Sequence, residues 1–233
     1  SGGTTLKGFG KAAGVPTSTW SSGGSMNTAK GQAMGAGLTN TAALVFGGWT
    51  GVPARVAITE SYDGSTWTEV NDLNTARAVG AGFGSQTAAI AAAGFAVPSY
   101  VANVESWDGT NWTEIADVNT ARHYVKGCGT QTAGIISGGY STSNQAVTET
   151  WDGTSWTEVS DLNTAGYGLQ VSGVQTSALA SAGNGRLALN EQWDGSSWTE
   201  VGDLNTPRSA TAGAGTVTQA LVFTGYTPPA SGT

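Results

Sequence analysis

Charge is scarce in this 233-residue chain: Asp, Glu, Lys and Arg together make up 11% of it, less than half the usual share. With 39% hydrophobic residues, that composition excludes a disordered polyelectrolyte. A single Cys excludes a disulfide framework, and one Cys with one His excludes a structural zinc site. Nine bases against 16 acids leave a net charge of −7, the wrong sign for a nucleic-acid partner, whose phosphates call for Lys and Arg. The longest apolar run, Ala88 to Val97, is half of what a bilayer span needs, so no membrane span is expected. No charged segment followed by an apolar stretch marks a signal peptide, and the absence of an initiator Met suggests a processed or trimmed chain. What abounds instead is Gly, with 36 copies, and Trp, with nine.

These residues recur in order. Four segments read almost alike: Glu60 to Trp67, Glu105 to Trp112, Glu149 to Trp156 and Glu191 to Trp198, each with an Asp-Gly pair in the middle and Thr-Glu directly after the Trp. Seven residues after each second Trp comes an Asn-Thr pair, at Asn74, Asn119, Asn163 and Asn205. A degraded fifth copy opens the chain, where Trp20 precedes Asn27 by the same interval. The markers Trp20, Trp67, Trp112, Trp156 and Trp198 are 47, 45, 44 and 42 residues apart, which makes five copies of one unit.

Each unit reads as four short strands. A Gly/Ala-rich stretch (78–84, 211–215) is followed by an apolar run such as Ala42 to Phe46 or Ala220 to Phe223. The run ends in Gly plus an aromatic at Trp49, Phe95, Tyr140 and Tyr226, and in Gly183-Asn184 in the fourth copy. A third strand alternates Leu187, Leu189, Glu191 and Trp193 on one face, as pleating requires. Asp-Gly then turns the chain into the fourth strand, Asp accepting backbone hydrogen bonds and Gly tolerating positive φ. No window has a sustained helical period. The expected fold is therefore all-β: one five-bladed β-propeller domain over residues 1–233, with four antiparallel strands per blade. The C-terminal stretch 211–226 supplies first and second strands without a third or fourth. Residues before Trp20 are expected to complete a composite blade of N- and C-terminal strands, closing the ring and removing exposed edges.

The pattern resembles the kelch repeat. Gly47-Gly48 and Gly138-Gly139 match its diglycine, and Ala93-Gly94 and Thr224-Gly225 match half of it. Tyr62-Asp63 and Trp107-Asp108 match its aromatic-Asp pair; Lys30, Arg77, Arg122 and Arg208 match its linking base, from which Gly166 departs. The unit is shorter than the roughly 50 residues of kelch, so the chain is kelch-like. The wording Trp-Asp-Gly-Thr-Ser-Trp-Thr-Glu-Val, followed by Asn-Thr-Ala-Arg, is similar to repeats in structural proteins of marine bacteriophages. That resemblance implies a virion or other extracellular location.

The acids speak against catalysis. All 16 fall on four positions repeated four times, those of Glu60, Asp63, Glu69 and Asp72, so none is left for the dedicated pair that a glycosidase places at its axis. His123 and Cys128, five apart on one expected first strand, would face opposite sides. Asp-Gly without alternating Asp/Asn ligands is a turn rather than a calcium loop. No catalytic residue, metal ligand or cofactor is expected.

Two groups remain as candidate ligand contacts. Lys30, Arg77, Arg122 and Arg208 occupy equivalent links between blades, where they either form a basic rim for an anionic ligand or pair with the repeated acids. The repeated Trp residues either stack on sugars or, as their register favours, fill the gaps between blades. The residues that vary between units lie between second and third strands and include Trp49, Tyr100, Tyr140 and Arg186. Loops on a rigid scaffold are where binding is commonly carried. The expected function is a non-catalytic binding or assembly module that contacts a protein or glycan surface, as a monomer or in a virion-associated assembly. The alternatives are a freestanding multivalent carbohydrate-binding lectin and an engineered, consensus-like scaffold.

Overall fold

The computed structural model describes residues 23–51, 54–184 and 188–227. Trp20, Arg186 and the strands expected before Trp20 lie outside the described residues. Among the described residues there is no helix, and hence none long and apolar enough to cross a membrane.

The repeat becomes a row of antiparallel sheets. The first contains β1 (Met34–Thr39) and β2 (Ala42–Phe46); a small hairpin of β3 (Trp49–Gly51) and β4 (Ala54–Arg55) then leads to β5 (Thr59–Tyr62) and β6 (Trp67–Val70), with sheet order β1-β2-β5-β6. The second runs β7 (Ala81–Gly84), β8 (Ala89–Ala96), β9 (Ser99–Trp107) and β10 (Trp112–Ile115). The third is β11 (Lys126–Thr130), β12 (Ala133–Ser137), β13 (Thr148–Trp151) and β14 (Trp156–Val159). The fourth is β15 (Gln170–Val174), β16 (Ser177–Ser181), β17 (Asn190–Trp193) and β18 (Trp198–Val201), and a hairpin of β19 (Ala212–Thr216) and β20 (Gln219–Phe223) follows.

The first strands stack side by side: β1 on β7, β7 on β11, β11 on β15 and β15 on β19. This arrangement is propeller-like. Gly in these strands serves that contact. A Cβ on Gly82 would fall 2.7 Å from both the N and the O of Gly35, so β1 and β7 meet backbone to backbone with no room for a side chain. At the ends of the row, β1 and β19 are largely exposed, with Leu38 at 78%, and no comparable contact joins them among the described residues.

The core lies between sheets rather than within them. Phe46, Leu44 and Met34 of the first sheet pack with Trp107 and Trp112 of the second. Phe83, Ile90 and Val104 meet Trp151 and Trp156 of the third; Cys128 and Ile135 meet Trp193 and Trp198 of the fourth. The second Trp of a unit therefore fills the gap to the preceding sheet, which is the packing role its register favours. Each Asp of the Asp-Gly pairs closes its hairpin with one oxygen. Asp108 Oδ1 accepts from the N–H groups of Thr110 and Asn111 at 2.8 and 2.7 Å, and Asp194 Oδ1 accepts from Ser196 and Ser197 at 2.8 Å each. These donors hold the carboxyls below their usual range; that of Asp194 is lowered to about 2.

Candidate functional site

The linkers between sheets organise two layers, one buried and one at the surface. The buried layer is a clasp. The first acid of each unit sits on the third strand and accepts from the linker that arrives from the preceding sheet. Glu105 takes the Asn74 N–H and Nδ2 at 2.6 and 2.9 Å and the Thr75 N–H at 3.2 Å; Glu149 takes Asn119 N–H and Nδ2 at 2.6 and 2.8 Å. The base three residues after each Asn closes the clasp: Arg77 pairs with Glu105, Arg122 with Glu149, and Lys30 with Glu60 at 3.2 Å. The paired side chains are fully buried. Each base is also fixed to a carbonyl: Lys30 Nζ to Ile58 at 3.0 Å, Arg77 Nη2 to Ala91 at 3.0 Å, Arg122 Nε to Gly138 at 2.9 Å.

Burial opposes ionisation of Glu60, but the Asn27 N–H, the Lys30 ammonium and the Thr28 N–H together hold its carboxyl below the usual range. For Arg77, desolvation pulls the guanidinium pKa down and the charge of Glu105 opposes it. The structure thus puts Lys30, Arg77 and Arg122 inside the molecule, with no face turned to solvent. Arg208 differs. It is half-buried, its Nη1 donates to the Thr224 carbonyl at 2.8 Å, and no carboxylate pairs with it among the described residues.

The surface layer is aromatic. The residue after each linking base forms a two-way backbone bridge with the residue that follows the Gly at the end of the second strand. Gly31 bridges Trp49, Ala78 bridges Phe95, His123 bridges Tyr140 and Ser209 bridges Tyr226. In the third unit the N–H of His123 donates to the Tyr140 carbonyl at 3.0 Å and that of Tyr140 donates back at 2.7 Å. These bridges bring each linker beside the end of a second strand. There Tyr100 stacks on His123 with centroids 5.7 Å apart and planes at 6°, while Tyr140 meets His123 edge-on at 5.6 Å. Tyr167 joins both Tyr140 at 5.4 Å and Tyr124 at 5.3 Å. Phe95 lies 5.8 Å from His123, and the Arg55 guanidinium bridges the Phe95 and Trp49 rings at 5.2 and 5.6 Å. All of these side chains are half-buried. Burial, helped by the Arg55 charge and opposed by the Tyr140 carbonyl, lowers the His123 pKa and keeps the imidazole neutral near pH 7.

Of the residues singled out from sequence, the structure therefore brings Trp49, Tyr100 and Tyr140 into one belt, and leaves Lys30, Arg77 and Arg122 beneath it. Arg186 lies outside the described residues. Spacing alone misses Tyr167, which follows the one linker without a base, and His123 as the centre of the belt. His123 is not on a first strand with Cys128, because β11 begins at Lys126 and Tyr124 turns the backbone to φ 54 in between. Among the described residues no three His, Cys, Asp or Glu side chains converge as metal ligands. Burial pushes the Cys128 thiol up to about 12, which leaves it a packing residue at neutral pH.

No family model matches the chain, and no curated protein is significantly similar to it.

Proposed function

We propose that this chain is a non-catalytic binding or assembly module, built as a five-bladed propeller, that uses its aromatic mouth to contact a glycan or protein surface. The observation that carries the reading is the belt itself. Tyr100, His123, Tyr140 and Tyr167 come from successive units, form a continuous chain of ring contacts, and are only partly buried. Partly exposed rings suit stacking on sugar faces and rigid apolar contact at protein surfaces. The repeated carboxylates support the non-catalytic part, since the four clasp acids and the four turn acids are engaged with backbone N–H groups.

Closure into five blades is supported by the five sequence units, 42–47 residues apart, and by the two ends of the row, where the first strands β1 and β19 are left exposed on complementary sides. A virion or other extracellular appendage is the setting that the resemblance to phage structural repeats supports; a freestanding lectin uses the same belt. A glycan array and a saturation titration of its best hit test the reading. Saturable binding that Tyr140→Ala and Tyr167→Ala weaken by about tenfold each, while both variants remain folded, is expected for lost stacking contacts. Binding that both variants leave intact places the contact elsewhere, and turnover of any polysaccharide by the pure protein overturns the non-catalytic reading.

A further inference from the structure

The connection between second and third strands carries a cross-strand pair at the same place in three units. Trp49 is paired with Arg55 in the β3–β4 hairpin, Phe95 with Tyr100 between β8 and β9, and Tyr140 with Asn144. Directly opposed residues put their side chains on one face of a sheet. The first unit therefore places a guanidinium where the second has the Tyr100 ring. That guanidinium reaches the Phe95 ring of the next unit at 5.2 Å and lies 5.6 Å from Trp49. His123 borders the same Phe95 at 5.8 Å and stacks on Tyr100.

Arg55 has no polar partner. The ion pairs engage Lys30, Arg77 and Arg122, and Arg55 makes no hydrogen bond among the described residues. All 16 acids of the chain lie among those residues, so no carboxylate side chain is left over to reach it. Its Nε is buried without a partner, while its Nη nitrogens are not buried; in His123 it is Nδ1 that is buried without a partner, and Nε2 is not buried. Aromatic rings attract the charge of a guanidinium but do not replace the oxygen acceptors that its N–H groups call for. A carboxylate is a planar anion that takes two such bonds from one guanidinium. A single cation beside a neutral imidazole, in a chain of net charge −7, suits one negative charge rather than a dianion. The surrounding rings suit a bearer with apolar C–H faces, as a sugar ring has.

We propose, taking the aromatic belt as the contact surface, that Arg55 with Trp49, Phe95, Tyr100 and His123 binds the carboxylate of an acidic sugar, a hexuronic acid residue of a glycan. The carboxylate takes the free Nη donors of Arg55, and the sugar ring lies against the neighbouring aromatic rings.

His123 is the one histidine of the chain, so its Hε1 proton gives a single proton NMR signal inside the site. The test reads that signal while the full chain is titrated near pH 7 with sodium D-glucuronate, with D-glucose and sodium acetate as separate arms at constant ionic strength. A saturable shift with glucuronate is expected, at an affinity about tenfold or more above either glucose or acetate, since only glucuronate brings both the carboxylate and the ring. Arg55→Gln removes the guanidinium and should bring glucuronate down to the affinity of glucose. Arg55→Lys keeps the charge without the fork and should fall between the two, so the proposal stays testable if Arg55→Gln fails to fold. Equal affinities for glucuronate and glucose, or a glucuronate affinity that Arg55→Gln leaves unchanged, overturn the proposal while leaving the belt as a surface for neutral sugars. Tighter binding of N-acetyl-aspartate N-methylamide than of glucuronate overturns it in favour of a protein carboxylate. No saturable shift with glucuronate overturns it as well, and the glycan array then decides by itself whether the belt binds.

Discussion

Val104 differs from its counterparts Thr59 and Thr148 by a methyl in place of a hydroxyl, and the difference leaves an indole without an acceptor. Trp112 Nε1 donates to Thr59 Oγ1 and Trp198 Nε1 to Thr148 Oγ1, both at 3.1 Å. Trp156, in the same place behind Val104, keeps a buried N–H with no partner. An unmet buried donor costs about 1–3 kcal/mol. Val104→Thr should therefore raise the stability of the whole chain by about 1 kcal/mol, seen as a higher Tm, because a hydroxyl is added where its partner already waits. Thr148→Val should lower it by a similar amount. A lower Tm for Val104→Thr would show that burying the hydroxyl outweighs the bond it makes.

At the level of the linker, the residue two places after each base, and after Gly166 in the linker without one, adopts a left-handed backbone: Gln32 at φ 54, Val79 at 54, Tyr124 at 54, Gly168 at 64 and Ala210 at 53. Each then donates to the preceding one. Val79 N–H reaches the Gln32 carbonyl at 3.0 Å, Gly168 reaches Tyr124 at 3.2 Å and Ala210 reaches Gly168 at 3.0 Å, so a thread of main-chain bonds runs from sheet to sheet. Only the fourth link has the residue suited to that conformation. A Cβ on Gly168 would come no closer than 3.6 Å to any atom, so Gly168→Ala tests backbone strain without a clash. It should cost about 1 kcal/mol in a denaturant titration, and no loss would mean that the thread imposes the conformation at no cost.

The four-strand unit and the Asp-Gly turns were legible in sequence because they repeat and because their signals are local: β2 spans the apolar run Ala42 to Phe46, and β19 and β20 fall within 211–226. The left-handed positions were not, since Val79 and Tyr124 carry no turn signal. Nor could spacing decide whether Arg77 lies inside or on a rim, because its partner Glu105 belongs to the next sheet and only the fold brings the two together. The belt was half legible for the same reason: Trp49, Tyr100 and Tyr140 stood out by varying, while His123 and Tyr167 acquire their place from two neighbouring linkers.

Between the four-stranded sheets one design recurs: first strands side by side, Trp between sheets, an acid clasping the linker, and aromatic rings beside it. The design has no free end only if the row closes on itself. Closure is tested most directly by the distance between the two end strands. Nitroxide labels at Leu38→Cys and Thr216→Cys, on β1 and β19, can be compared with labels at Val174→Cys and Thr216→Cys, on β15 and β19, which already pack together. All three positions are exposed, and the native Cys128, with its thiol pushed up to about 12, escapes labelling at neutral pH. A five-bladed ring predicts the same short inter-label distance for both pairs. A short distance for the control pair with a long or broad one for Leu38 and Thr216 would contradict it.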